Sequence, residues 1–505
     1  MSLLGLDIGT TGCKAVIFSE EGKIISKAYQ EYALYIPAEG QCELDPEEVW
    51  NAVRSVVRAA VADAGRKDPV RAIGISTIGD SVTPVDKKGR PLYRTVIGAA
   101  DRRAADEAAW IAAHYGRVNA YEKTGAPLHA FCTLPKVMWF RNNKPEIFDR
   151  AWKFSGVQEL FQLNCGLEPV VDFSLASHTM LMDAKKKVLA RDLCAVCNID
   201  PDFFSPLGSS NALVGTLSRR WAEKLGFSNC PAVVAGGFDQ CCCAFGAGVF
   251  DPGTVALSVG TLEAIVGISP VFRPSPTLLE GNFGLSSHVV DGSYIALGYV
   301  TTSGAILRWY RDTFYGGVKN DTTPTETDES TPDPYDAMIE STPDAPSSVF
   351  VMPYFAGSGT PWLDTRQKGT VFGLSLTTSR DDIVKGILDG ICCEVRLNIE
   401  LLKGAGIEVK KLRAMGGGSK SKKWMQIKAD ITGTPVEVTA VKEAGCLGAA
   451  FLAGQGVGAF TSTEEMREIT ASERVFEPRP HITRQYEEYF QKYCELRARV
   501  EGLDV

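Results

Sequence analysis

Three groups of residues have types and spacings that could do chemistry. The first is Asp7, inside an apolar run, followed by Gly9-Thr10-Thr11-Gly12 and Lys14. A turn of this kind between two strands offers backbone N–H groups, threonine hydroxyls and one ammonium charge to phosphate oxygens. A carboxylate at the strand end suits a hydrated Mg²⁺, which takes one or two carboxylates and keeps several waters. The same string also makes ordinary turns. The second group, Gly416-Gly417-Gly418-Ser419, stands between a strand and a helix over 422–431. Three glycines let a flat ring lie against backbone at a helix N-terminus, or they make a flexible loop. The third, Gly236-Gly237-Phe238-Asp239-Gln240, follows an apolar strand over 232–235 and precedes a small-residue helix over 241–248. Asp239 reads as the N-cap of that helix, a common structural device. It also reads as a base for a hydroxyl attacking a phosphoryl group, with the two glycines allowing close approach. The histidines at 114, 129, 178, 288 and 481 show no metal or triad spacing and read as structural, and Cys194 and Cys197 have no second pair at zinc-site spacing.

The elements around these residues begin with a hairpin, Leu3 to Ile8 and Lys14 to Phe18, and a third strand from Ile24 to Tyr29. Residues 46–64 have the period of a helix, with Asp45 as its cap and Glu47 and Glu48 in the first turn, and 71–76 form a further strand. An antiparallel meander at the start differs from a dinucleotide-binding fold. The same strand, Gly-Thr turn and strand recur over 254–267, with Gly260-Thr261 half a chain beyond Gly9-Thr10. Two unrelated hairpins could share one Gly-Thr pair. The economical reading is a duplication into lobes 1–246 and 247–505, with 321–346 as a solvated connection around one short helix.

The 505 residues are 45% hydrophobic and 23% charged, enough apolar surface for more than one core. A net charge of −8 argues against non-specific nucleic-acid binding. The 14 cysteines fall largely in apolar segments, as free thiols do in a reducing cytosol. Asp7 and Lys14 interrupt the first apolar stretch, and no run of about 20 apolar residues occurs, so neither a secretion signal nor a membrane span is expected.

Taken together, Gly5-Leu6-Asp7-Ile8-Gly9-Thr10-Thr11, Gly236 to Gln240 and Gly416 to Ser419 resemble the FGGY carbohydrate kinases, which include xylulokinases and glycerol kinases. Phe131 to Asn143 fits the first family signature, with Lys136 and Trp139 three apart. Gly369 to Asp389 fits the second except at Gly386, and Asp172 to Ser177 matches a further block. The resemblance runs over essentially the whole chain. It implies an α/β fold of two actin-like, ribonuclease-H-like ATPase domains around a cleft, with ATP mainly on the second domain and the sugar mainly on the first. By the same resemblance Asp239 is the catalytic base, Asp7 orients Mg²⁺ through water, and Gly9, Thr10, Thr11 and Lys14 face the transferred phosphate. Gly260 and Thr261 form a second phosphate turn. Gly417, Gly418 and Ser419 contact adenine or ribose, and Thr302, Ser303 and Gly304 border the nucleotide.

The sugar side departs from the family. Thr77-Ile78-Gly79-Asp80-Ser81 stands where xylulokinases carry Gln-Met-His-Gly and glycerol kinases Asn-Gln-Arg-Glu. Asp80 takes the position of the His or Glu, and Gly79 leaves room where those enzymes place Met or Arg. Asp101 matches the family's sugar-side Asp, and Gln158, Asp239 and Gln240 complete the expected acceptor contacts. Carboxylates at 80 and 101 suit a neutral polyhydroxy compound over an acid such as gluconate, although Arg102 weakens that reading. The expected substrate is a small sugar, a ketopentose such as xylulose. Alternatives are ribulose, erythritol or glycerol, or a catalytically silent sensor of ATP and sugar. The expected setting is a cytoplasmic, ATP- and Mg²⁺-dependent enzyme with no nucleic-acid or membrane partner, often a homodimer in this family.

Overall fold

A computed structural model describes residues 2–64, 68–98, 101–314 and 334–501. The first half contains β1 (Ser2–Ile8), β2 (Gly12–Ser19), β3 (Ile24–Glu31), α1 (Pro46–Ala64) and β4 (Val70–Thr77). There follow α2 (Thr133–Asn143), α3 (Phe173–His178), β5 (Leu213–Thr216), β6 (Ala232–Val234), β7 (Gly237–Phe238) and α4 (Asp239–Gly246). The second half contains β8 (Gly253–Val259), β9 (Glu263–Ser269), β10 (Gly284–Ser287), β11 (Tyr294–Val300), α5 (Gly304–Phe314), α6 (Pro334–Glu340) and α7 (Arg380–Gly404). It ends with β12 (Val409–Met415), α8 (Lys422–Thr432), β13 (Val436–Thr439), α9 (Ala444–Gly456), β14 (Ser472–Phe476) and α10 (Pro480–Val500). Part of the expected connection, 321–333, lies outside the described residues. Among the described residues no helix is long and apolar enough to cross a membrane.

The duplication read from two Gly-Thr turns is present at the level of whole sheets. One sheet runs β5-β6-β4-β1-β2-β3, with β7 also on β4, and the other runs β14-β13-β12-β8-β9-β11-β10. In both, an antiparallel meander (β1, β2, β3; β8, β9, β11) adjoins two parallel strands (β4, β6; β12, β13) and one antiparallel edge strand (β5; β14). The fold is therefore the two-lobed α/β architecture that the resemblance implies. Helix α1 shows how local pattern and packing agree. Asp45 accepts from the amides of Glu47 and Glu48, and Val49, Val53, Val56, Val57 and Ala60 form the stripe buried on the first sheet.

The lobes are joined by an exchange of helices. Helix α9, from the second half, lies on β1 and β4 of the first sheet, whereas α4, from the first half, turns toward β9 of the second. The two helices also pack on each other, through small residues. A Cβ on Gly5 or Gly74 would fall 1.8 Å from the carbonyl oxygen of Cys446 or Ala449, and one on Gly448 would fall 2.0 Å from that of Cys242. Glycine in β1 and β4 thus lets α9 lie backbone to backbone on the sheet. Residues Ala444 to Gly454 are buried all round, the signature of a helix enclosed by protein.

Gly74→Ala therefore forces either sheet or helix to move and should cost at least about 2–3 kcal/mol in urea unfolding. Gly404→Ala, where a methyl meets only Thr277 at 3.8 Å, should cost nothing. Equal midpoints for the two variants would refute the close-packing argument.

Candidate active site

Asp7 is the next-to-last residue of β1 and lies beside the start of α9. One carboxylate oxygen accepts from the Ser76 hydroxyl at 2.7 Å, and burial holds the carboxyl above its usual range. Across the β1–β2 register Lys14 faces Asp7, and its Nζ reaches Glu443 at 2.7 Å, just before α9. Asp7, Lys14, Cys243, Ser258, Gly416 and Glu443 line a cavity of about 160 Å³. Of the two carboxylates facing this cavity Glu443 is paired with Lys14, so Asp7 is the residue that would hold a water-held Mg²⁺.

The turn between β1 and β2 is more internally bonded than expected. Gly9 N–H closes onto Gly12 O at 2.9 Å, and the Tyr32 hydroxyl donates to both Gly9 O and Gly12 O. Gly9 therefore shapes the turn rather than offering its amide, and Thr10 and Thr11 are left at its tip. In the second lobe Gly304 N–H donates to Gly260 O and Ser303 N–H to Thr261 O, both at 2.9 Å. The Ser303 hydroxyl, expected to border the nucleotide, is turned into the protein. It donates to Glu263, which is clamped by Lys428 at 2.8 Å on each oxygen, all fully buried.

A cavity of about 290 Å³ opens between Gly260-Thr261, Gly304, Arg308, Gly417-Gly418 and Lys420, with Leu307, Ile339 and Trp424 as apolar walls. It has the flat apolar faces and nearby cations that an adenine nucleotide requires. Ser419, expected at the ligand, instead donates its hydroxyl to Gly416 O at 2.7 Å and closes the turn.

Asp239 is the first residue of α4, not its cap. Phe238 occupies the cap position, its amide held by the Ser174 hydroxyl, which itself donates to Asp172. The glycines before it serve packing: a Cβ on Gly236, at φ +88°, would fall 2.0 Å from Ile75 O, and one on Gly237 would fall 2.4 Å from Val289. The first lets the chain close on β4 and the second lets it close on Val289, just past β10. Asp239 Oδ1 is buried without a hydrogen-bond partner. Burial and the Asp7 charge push its carboxyl up to about 7, against the pull of the Gln240 N–H groups and His178.

On the sugar side the expected residues separate. Asp101 is spent: it accepts from Cys42 N–H at 2.7 Å and pairs with Arg103, which also binds Glu43 and lies over Trp139. Gln158 is spent as well, donating to Ala235 O and accepting from Asp172 N–H. Asp80 is available, with Oδ1 buried and unpartnered. Its backbone, at φ +54°, is held by Lys136, whose Nζ donates to Asp80 O and Ile97 O at 2.7 and 2.8 Å. With no carboxylate bonded to it, buried Lys136 is pushed down to about 8. The signature Lys and Trp are thus scaffolding for Asp80 and Asp101. The space at Gly79 is filled by the Phe238 ring, 2.9 Å from where a Cβ would be. His178, which spacing gave no reason to select, has Nδ1 3.5 Å from Asp80 Oδ2 and its ring 4.1 Å from that of Phe238.

Duplicated lobes, a turn on each facing the cleft, and a buried unpaired carboxylate between them define a two-lobed phosphotransferase of the actin-like ATPase class. The family models agree: the N-terminal domain of the FGGY family of carbohydrate kinases matches residues 2–246 and its C-terminal domain matches 255–456. The chain belongs to the FGGY family and is a sugar kinase. It is 28% identical over 493 residues to a xylulose kinase of Staphylococcus epidermidis, covering 97% of this chain and 95% of that one. It is 29% identical over 502 residues to a glycerol kinase of Lactococcus lactis, covering 96% of each. A gluconate kinase structure from Lactobacillus acidophilus superposes with a TM-score of 0.89 at 23% identity, covering 100% and 99% of the two chains.

Because the folded state holds Asp239 near 7 against an ordinary 3.8, the native protein binds the proton more tightly than the unfolded chain. The stability this contributes is present at low pH and lost as pH rises through about 7. Asp239→Asn should therefore be more stable than wild type, by a margin widening by roughly 2 kcal/mol between pH 5.5 and 8. Urea unfolding at the two pH values, without ligand, measures this, and a margin independent of pH would contradict the assigned shift.

Proposed function

We propose that this sugar kinase transfers the γ-phosphoryl group of ATP to a hydroxyl of a ketopentose such as xylulose. The observation that carries the reading is Asp239 Oδ1, buried and unpartnered, within electrostatic reach of both Asp7 and His178. In this reading Asp239 takes the proton of the attacking hydroxyl, whose oxygen bonds to the γ-phosphorus as the bond to ADP breaks. A carboxyl near 7 is well matched to that task at neutral pH. Lys14 and the Thr10 and Thr11 hydroxyls would face the phosphoryl oxygens, and Gly417 and Gly418 would lie against the nucleotide. Mg²⁺ held through Asp7 would supply charge neutralisation to the polyphosphate. The 14 free cysteines are consistent with a reducing, cytoplasmic setting.

A neutral polyol of the ribulose, erythritol or glycerol type is the second reading, in keeping with the bonds Asp101 makes to Cys42 N–H and Arg103 within the fold. Coupled ADP release across ketopentoses, aldoses, tetritols, glycerol and gluconate tests both, and activity with glycerol alone would overturn the first. Asp239→Asn should lower kcat by about 10²–10⁴-fold, with KM for ATP within about threefold of wild type. Sugar-stimulated ADP release surviving that substitution would remove Asp239 from its role.

A further inference from the structure

Asp80 Oδ1, His178 Nε2 and Asp239 Oδ1 are buried without a partner, and His178 lies within reach of both carboxylates. Buried polar atoms are nearly always bonded, so a cluster of three marks where a ligand's polar groups complete the set. The region is continuous because the His178 ring rests on Phe238, which precedes Asp239, while its Nδ1 faces Asp80. Its geometry is built rather than incidental. Asp80 sits in the left-handed region, with its backbone oxygen gripped by Lys136, and Gly79 makes space for the Phe238 ring on which His178 lies.

We infer that His178 and Asp80 act as a pair that selects the acceptor, a deepening of the proposed kinase reading that rests on it. Nδ1 is the ring nitrogen that faces Asp80, so when the imidazole carries its single proton there Nε2 is left as an acceptor. The acceptor site then presents three hydrogen-bond acceptors: Asp80 Oδ1, His178 Nε2 and the base Asp239 Oδ1. That set is matched by a neutral compound with at least three free hydroxyls, one donating to each. A carboxylate-bearing acceptor brings like charge to Asp80. A deoxy analogue leaves one buried acceptor unpaired, which a site of this kind rejects strongly.

The test is kcat/KM for wild type, His178→Ala, His178→Gln and Asp80→Asn with a preferred polyol, its monodeoxy analogues and gluconate, with KM for ATP read alongside. His178→Ala should lower kcat/KM for the polyol about 10–100-fold, chiefly through KM. One deoxy analogue should be poor for wild type yet lose less than threefold further in this variant. Asp80→Asn should raise the gluconate-to-polyol ratio at least tenfold. His178→Gln, which keeps a polar side chain, guards against a misfolded alanine variant and should recover part of the loss.

His178 variants that keep the wild-type acceptor ranking and KM would overturn the pair while leaving the kinase reading standing. A wild type that prefers gluconate to every neutral polyol would do the same. A wild type that phosphorylates no sugar or polyol would overturn both.

Discussion

The contact on which the rest depends is the backbone-to-backbone packing of α9 on the first sheet and against α4. It exists because β1 and β4 carry glycine at positions 5 and 74 and the helices carry Gly246 and Gly448 where they meet. A helix so closely enclosed has no polar face, and α9 is accordingly apolar on every side. The exchange also sets the site. Helix α4 carries Asp239 in its first turn, and α9 is preceded by Glu443, which holds Lys14. The N-terminal end of α9 thus lines the cavity in which Asp7 lies, an arrangement favourable to anions.

Around that joint, most polar residues of the recognisable motifs are occupied in holding other residues. The Glu263–Lys428 pair fixes Ser303 beside the second turn, Asp172 fixes Ser174 and through it Phe238, and Arg103 fixes Asp101. Each is a buried ionised or polar group whose partner cannot be removed cheaply, since an orphaned buried charge costs about 3–5 kcal/mol. Asp80, His178 and Asp239, by contrast, each keep a buried atom with no partner in the fold.

Much of the fold was legible in sequence because it rests on short-range signals. Asp45 with Glu47 and Glu48 announces α1, and the two Gly-Thr turns announce the repeated meander that the matching sheet orders establish. The helix exchange was not legible, since nothing in the pattern of Ala444 to Gly456 says which sheet an apolar helix lies on. Glycines 236 and 237 were read as room for a ligand, yet their space is taken by Ile75 and Val289. Gly386, the departure from the second signature, has the same kind of cause: a Cβ there would come 2.7 Å from Val349 O.

The sugar side was least legible because residue type does not tell whether a carboxylate is spent. Asp80 and Asp101 read alike as acceptors on a loop, and only the tertiary structure separates them. Asp101 meets a guanidinium that is always charged and geometrically matched to it, so its carboxylate is satisfied within the fold and has little left to offer a ligand. Asp80 meets an imidazole at 3.5 Å, a softer partner that leaves one oxygen open. A lysine that could have neutralised Asp80 is present in Lys136, yet it grips the backbone carbonyl instead of the carboxylate. The cation therefore fixes where the carboxylate points without consuming its acceptor capacity, which is what a site for uncharged hydroxyls requires.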